Sequence, residues 1–129
     1  MKPFGRSYLL DMYNCRVGSA DDLELIYRFL EELVVLIKMT PTIPPFVIHG
    51  PRDKNLIEVF PDKAGVSGAI FLIESGIMIH SVEQKRFITL DIYTCGELDT
   101  EIAKEFARKT FEFEHCEEHF IERGTQYHI

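Results

Sequence analysis

An α+β fold is what the sequence predicts: one domain over residues 1–129, a two-layer sandwich in which an antiparallel sheet carries two helices on one of its faces. Three observations predict it. Two stretches repeat their apolar residues at helical spacing, around residues 23–37 and 102–110. Between and before them lie short runs that are apolar or alternate apolar with polar. The central runs follow one another through short turns, which favours antiparallel pairing over crossover connections.

The elements can be justified in order. Residues 7–13 form a strand rich in leucine and aromatics, and Gly18-Ser19 breaks the chain after it. Ser19 with Asp22 resembles a helix-capping pair. Leu23, Ile26, Tyr27, Leu30, Leu33, Val34 and Ile37 then lie along one helical face, and Glu24, Arg28, Glu31, Glu32 and Lys38 along the other. Pro41, Pro44 and Pro45 end that helix. Residues 46–49 are a short strand stopped by Gly50-Pro51, and residues 56–60 are a further strand candidate. Residues 66–73, 77–79 and 87–93 make the most apolar part of the chain. In the last of these, Ile88, Leu90 and Ile92 face one way and Thr89, Asp91 and Tyr93 the other. Asp99 can cap a second helix whose inner stripe is Ile102, Ala103, Phe106, Ala107 and Thr110. The polar tail, residues 116–129, carries no clear periodicity. Two helices cover one sheet face, so the other meets water or a second subunit.

Composition narrows the function. A chain of 129 residues with 46% hydrophobic and 27% charged residues is an ordinary globular domain. Its net charge of −7 argues against nucleic acid or an anionic membrane as partner. No apolar run approaches the ~20 residues that span a bilayer, and Met1-Lys2-Pro3-Phe4-Gly5-Arg6 lacks the apolar stretch of a signal peptide. A cytoplasmic location is therefore expected. Cys15, Cys95 and Cys116 are odd in number and have no CxxC spacing, which disfavours a disulfide framework or a structural zinc site. Each is then a buried small hydrophobe or a working thiol. His49, His115, His119 and His128 show no spacing that calls for a metal.

Chemistry-bearing residues gather between Gly65 and Gly96: Gly65-Val66-Ser67-Gly68, Glu74-Ser75, Ile79-His80, and Asp91-Ile92-Tyr93-Thr94-Cys95-Gly96. Serine, histidine and cysteine together can support nucleophilic chemistry. Taken singly, each also has an ordinary structural role. Ser67 between glycines reads as a bulge or turn residue, and Ser75-Gly76 between apolar runs as a hairpin turn. His80 can be a half-buried strand residue and Cys95 a small residue closing a strand.

Order and spacing say more than any one residue. Ser67 precedes Ser75 by eight positions, His80 follows it by five and Cys95 by twenty. This pattern resembles the prokaryotic S-adenosylmethionine decarboxylase proenzymes, over nearly the whole chain. The resemblance implies self-cleavage between Glu74 and Ser75 into chains 1–74 and 75–129. The Ser75 hydroxyl would attack the Glu74 carbonyl to form an ester. Elimination and hydrolysis would leave a pyruvoyl group at the new N-terminus, with His80 as base and Ser67 holding the intermediate. That cofactor would form a Schiff base with the substrate amine and draw off the electrons released with CO2. Cys95 would return a proton to the α-carbon. A homodimer of cleaved protomers is also implied, acting on S-adenosylmethionine in spermidine biosynthesis.

The chain departs from the family pattern at two places. Gly76 stands where the family has histidine. Ser81-Val82-Glu83-Gln84 stands where it has Thr-Trp-Pro-Glu, so Val82 and Gln84 replace the aromatic and the acid that grip the nucleoside. Phe60 is a candidate for the remaining aromatic contact. These departures admit two further readings: a pyruvoyl-dependent decarboxylase of arginine or ornithine, or a non-processing binding module.

Overall fold

The computed structural model describes residues 2–60 and 63–128. The predicted α+β sandwich is present: six strands form one antiparallel sheet, in the order β2-β3-β4-β5-β1-β6. The strands are β1 (Gly5–Tyr13), β2 (Phe46–His49), β3 (Val66–Leu72), β4 (Ser75–Val82), β5 (Phe87–Thr94) and β6 (His115–Arg123). Helices α1 (Leu23–Leu36), α2 (Lys54–Val59) and α3 (Thr100–Phe111) connect them.

Alternation along the central strands decides which face is dry. Leu10 and Met12 of β1, Ile77 and Ile79 of β4, and Ile88, Leu90 and Ile92 of β5 are all buried on the helix side. Helix α1 lays Ile26, Phe29, Leu30, Leu33 and Val34 over them, and α3 adds Ala103, Ala107 and Phe111. Phe29 joins the two helices, with its ring 5.1 Å from Phe106 and 4.8 Å from Phe111. Burying each large apolar side chain of this layer contributes roughly 1.5–3 kcal/mol. Gly68 lets α1 come down close to the sheet: a Cβ there would lie 3.3 Å from Leu30 and 3.1 Å from Ile79.

Side-chain caps set the helix starts. The cap of α1 is Asp22, whose carboxylate accepts from the Leu25 N–H at 3.0 Å; Ser19 instead begins a single 3-10 turn, Ser19–Asp21. Asp99 caps α3 as expected, accepting from the Glu101 and Ile102 N–H groups. Ile102, assigned to the inner stripe of α3, is 40% exposed, and Phe111 takes the buried place.

Two segments differ from expectation. Residues 56–60 do not form a strand. Asp53 caps Asn55, and Lys54–Val59 is a short helix with no buried residue. The spacing of Leu56, Ile57, Val59 and Phe60 suits a helical face as well as a strand, and the cap decides it. The polar tail, in turn, contains a nine-residue strand. β6 pairs with β1 along its whole length, from Gly5↔Arg123 to Tyr13↔His115. Backbone pairing to an edge needs no apolar alternation, so the side chains gave no signal. Tyr8 donates to Glu118 and Tyr13 to Glu117, and Arg123 donates to Ser7 at 3.1 Å. Ile129 of the predicted tail and Met1 lie outside the described residues.

The uncovered sheet face carries Phe46, Ile48, Phe71 and Met78, all exposed. No helix among the described residues is long and apolar enough to cross a membrane.

Candidate active site

Ser67 and His80 are cross-strand partners on β3 and β4. Each lies one position from buried neighbours, Val66 and Gly68 for Ser67, Ile79 and Ser81 for His80. This turns both side chains to the open face, where Ser67 Oγ and His80 Nδ1 share a hydrogen bond of 2.9 Å. A hollow of about 300 Å³ lies over them, walled by Phe46, Ile48, Ala69 and Met78. Gly65, just before this strand, has φ +153°, and a Cβ there would sit 2.1 Å from the Ser81 carbonyl oxygen. Only glycine fits that approach, and it lets Ser81 Oγ accept from the Val66 N–H at 2.8 Å.

Glu74, Ser75 and Cys95 form a second cluster at the other end of β4. The turn between β3 and β4 is Ile73-Glu74, earlier in the chain than the Ser75-Gly76 turn expected from composition. Ser75 therefore opens β4, paired with Leu72 and Thr94. Its φ is +140°, a conformation rare for a residue with a side chain. The Glu74 carbonyl accepts from the Cys95 N–H at 2.8 Å. The Glu74 carboxylate is gripped by Thr40, through its N–H at 2.9 Å and its hydroxyl at 3.2 Å. The Thr40 N–H leads the causes that hold the Glu74 carboxyl below the usual carboxylate range. A groove of about 670 Å³ opens beside Glu74, between the end of α1 (Lys38, Met39) and the start of α3 (Asp99, Thr100).

The register keeps the two clusters apart. Ser75 is opposite Thr94 and His80 is opposite Thr89 on the same ladder. Five residues of strand separate them, roughly 16 Å at the usual rise per residue. Val82 and Gln84 follow His80, Val82 closing β4 and Gln84 exposed in the next turn. The segment carrying Phe60 also reaches this end, since the Lys63 N–H bonds the Phe60 carbonyl and the Glu83 N–H bonds the Ala64 carbonyl. The expected site residues thus divide: Ser67, His80, Val82, Gln84 and Phe60 toward one end of the sheet, Glu74, Ser75 and Cys95 at the other. Thr40 was not among them. It lies 34 positions before Glu74 and between helix and prolines, where nothing local marks it.

The thiols differ in setting. Cys95 is exposed, Cys15 fully buried and Cys116 half-buried. Burial pushes the Cys15 thiol up to about 11. Asp91, on the open face, is also raised, by burial first and then by the Asp11 carboxylate. No group of three or more metal-ligating side chains occurs among the described residues.

A small α+β domain with a serine at a strained hairpin step and a separate Ser–His pair carries groups that a lyase can use for nucleophilic and acid–base chemistry. Comparison with known proteins agrees. The family model described as S-adenosylmethionine decarboxylase matches residues 6–124, and the chain belongs to that family. S-adenosylmethionine decarboxylase proenzyme of Bacillus velezensis is 25% identical over 124 residues, covering 96% of this chain and 89% of that one. The proenzyme of Anoxybacillus flavithermus is 26% identical over 106 residues, covering 82% and 76%. That of Pyrococcus horikoshii is 36% identical over a shorter stretch of 63 residues, 48% of this chain and 45% of its own. The crystal structure of the adenosylmethionine decarboxylase from Aquifex aeolicus shares the fold, with a TM-score of 0.79 at 23% identity over 96% of this chain and 93% of that one.

Proposed function

We propose that this chain is a proenzyme that cuts itself between Glu74 and Ser75 and then decarboxylates S-adenosylmethionine. The observation that carries the reading is the Glu74-Ser75 step: a serine at φ +140° whose preceding carbonyl is already held by the Cys95 N–H. A strained, polarised amide next to a hydroxyl suits an acyl shift. The new bond joins Ser75 Oγ to the Glu74 carbonyl carbon, the bond to the Ser75 nitrogen breaks, and the hydroxyl proton passes to that nitrogen. Loss of the Ser75 α-proton then expels the Glu74 carboxylate and leaves dehydroalanine. Its tautomer takes up water and releases ammonia, so residue 75 ends as a pyruvoyl group.

The residues present fit that group: Ser75 is half-buried at the sheet end, beside the exposed Cys95. A pyruvoyl ketone supplies an electron sink for decarboxylation. Cys95, exposed and adjacent through the Glu74 carbonyl, is the proton donor to the product carbon.

His80 is the base for the α-proton. In the tautomer whose Nδ1–H donates to Ser67 Oγ, Nε2 is left as acceptor. Within one chain it stands too far from Ser75, so a second copy brings it there. Two open faces packed together, with strands reversed, would set the Ser67–His80 end of one against the Glu74–Ser75 end of the other. The exposed Phe46, Ile48, Phe71 and Met78 give such a homodimer its apolar contact. Phe60, Val82 and Gln84 would then line the substrate from the same side as His80. The product feeds aminopropyl transfer in spermidine synthesis, in the cytoplasm.

Intact-mass measurement of the denatured protein tests the reading. Two fragments, 1–74 and a pyruvoyl-initiated 75–129, are expected. A single uncut chain after long incubation would overturn it. Release of CO2 from carboxyl-labelled S-adenosylmethionine, and not from arginine or ornithine, tests the substrate.

A further inference from the structure

We propose that Thr40 is a positioning residue for the cut, holding the acyl side of the Glu74-Ser75 bond from outside the sheet. The inference rests on the processing reading above. The cut bond joins two differently held halves. Ser75 is held in the sheet by its pairing with Leu72 and Thr94. Ile73 and Glu74 are turn residues, outside the ladder on that side.

What holds the turn is the segment after α1. Pro41 bridges to Leu72, and Thr42 donates its N–H and its hydroxyl to the Phe71 carbonyl, each at 3.0 Å. Thr40 accepts from the Ile73 N–H at 2.9 Å and donates to both oxygens of the Glu74 carboxylate, at 2.9 and 3.2 Å. One residue therefore grips the cut site at the backbone before it and at the side chain beside it. The residue type suits the task. Threonine places a hydroxyl next to its own N–H on a stiff β-branched side chain, and the following Pro41 holds Thr40 in an extended backbone.

The consequence is geometric. The Ser75 hydroxyl must meet the Glu74 carbonyl carbon at roughly 3–3.5 Å. The Cys95 N–H fixes the carbonyl oxygen, and the Thr40 grip fixes the rest of the acyl residue, so the carbon cannot swing from the attacking hydroxyl. None of these contacts uses the atoms that exchange bonds. The lowered Glu74 carboxyl is consistent with a grip that favours its charged form.

The experiment is a time course of cleavage by intact mass, with Thr40→Val, Thr40→Ser, Glu74→Gln and the Thr40→Val/Glu74→Gln pair. Thr40→Val keeps size and removes the hydroxyl; we expect cleavage about tenfold slower, with the melting temperature of the uncut chain within about 4 °C of the parent. Thr40→Ser restores the rate. Glu74→Gln slows cleavage, and the double variant is no slower than the slower single, as for two groups acting through one contact. Parent-like cleavage in Thr40→Val, no rescue by serine, or additive losses in the double variant would each overturn the inference while leaving the processing reading intact. An uncut parent chain overturns that reading and this inference with it.

Discussion

Ser67 and His80 meet at 2.9 Å across β3 and β4, while Ser75 begins the same strand five residues before His80. The proposed base and the bond it serves thus sit at opposite ends of one strand. In the proposed homodimer, that separation would make each chain half of two sites.

Subunit sharing can be measured by mixing. Ser75→Ala has no nucleophile and His80→Ala has no base, so each alone stays uncut. In mixed dimers, the His80→Ala chain has its own Ser75 and receives His80 from its partner. Its cleavage is expected, seen as fragments of a differently tagged chain. Confirmed heterodimers in which both chains stay whole would exclude a shared site.

Backbone approach governs the glycines differently. Gly65→Ala puts a Cβ 2.1 Å from the Ser81 carbonyl oxygen at φ +153°. A loss above about 3 kcal/mol, read by denaturant unfolding, is expected. At Gly76 a Cβ would stand 3.3 Å from the Ile70 carbonyl oxygen and 3.9 Å from Phe71. Gly76→His should fold after a small shift, at a cost below about 1.5 kcal/mol. Equal stability of the two variants would contradict this placement of the strands.

Thiol reactivity follows exposure. Iodoacetamide at mild alkaline pH should modify Cys95 first and Cys116 more slowly, since burial and Glu118 raise the latter. Cys15, pushed up to about 11, should react only on unfolding. Modification of Cys95 should lower decarboxylation by about 100-fold or more. Peptide mapping checks the order; early labelling of Cys15 would refute it.

Asp91 sets a pH dependence. Its folded carboxyl titrates above the ordinary value of 3.8. The folded chain therefore holds that proton more tightly than the unfolded chain, and stability falls as pH rises from the unfolded value through the raised one. Asp91→Asn should raise the melting temperature by a few degrees at pH 7 and change it little near pH 3. An equal shift at both values would place the effect in packing rather than charge.

Much of the fold was legible because its signals are local. The alternation of Ile88, Leu90 and Ile92 told which face is buried, and Asp99 marked the start of α3. Residues 56–60 misled because four apolar residues in five fit both periods, and the deciding cap at Asp53 lay outside them. β6 was hidden because it is joined to β1 by backbone bonds, with polar side chains on both faces. The hairpin turn falls at Ile73-Glu74 because Leu72 and Ser75 pair; composition alone favoured Ser75-Gly76.

The sequence by itself determined the family and the identity and order of Ser67, Glu74, Ser75, His80 and Cys95, since chain order needs no structure. Only the tertiary structure decided which of them meet. Ladder register turns eight and five positions of spacing into one close pair, Ser67 with His80, and one long separation from Ser75. It also brings Thr40 to Glu74 across 34 positions. Such contacts arise from how the α1 end and the β3–β4 turn pack together, and no local pattern of residue types encodes that.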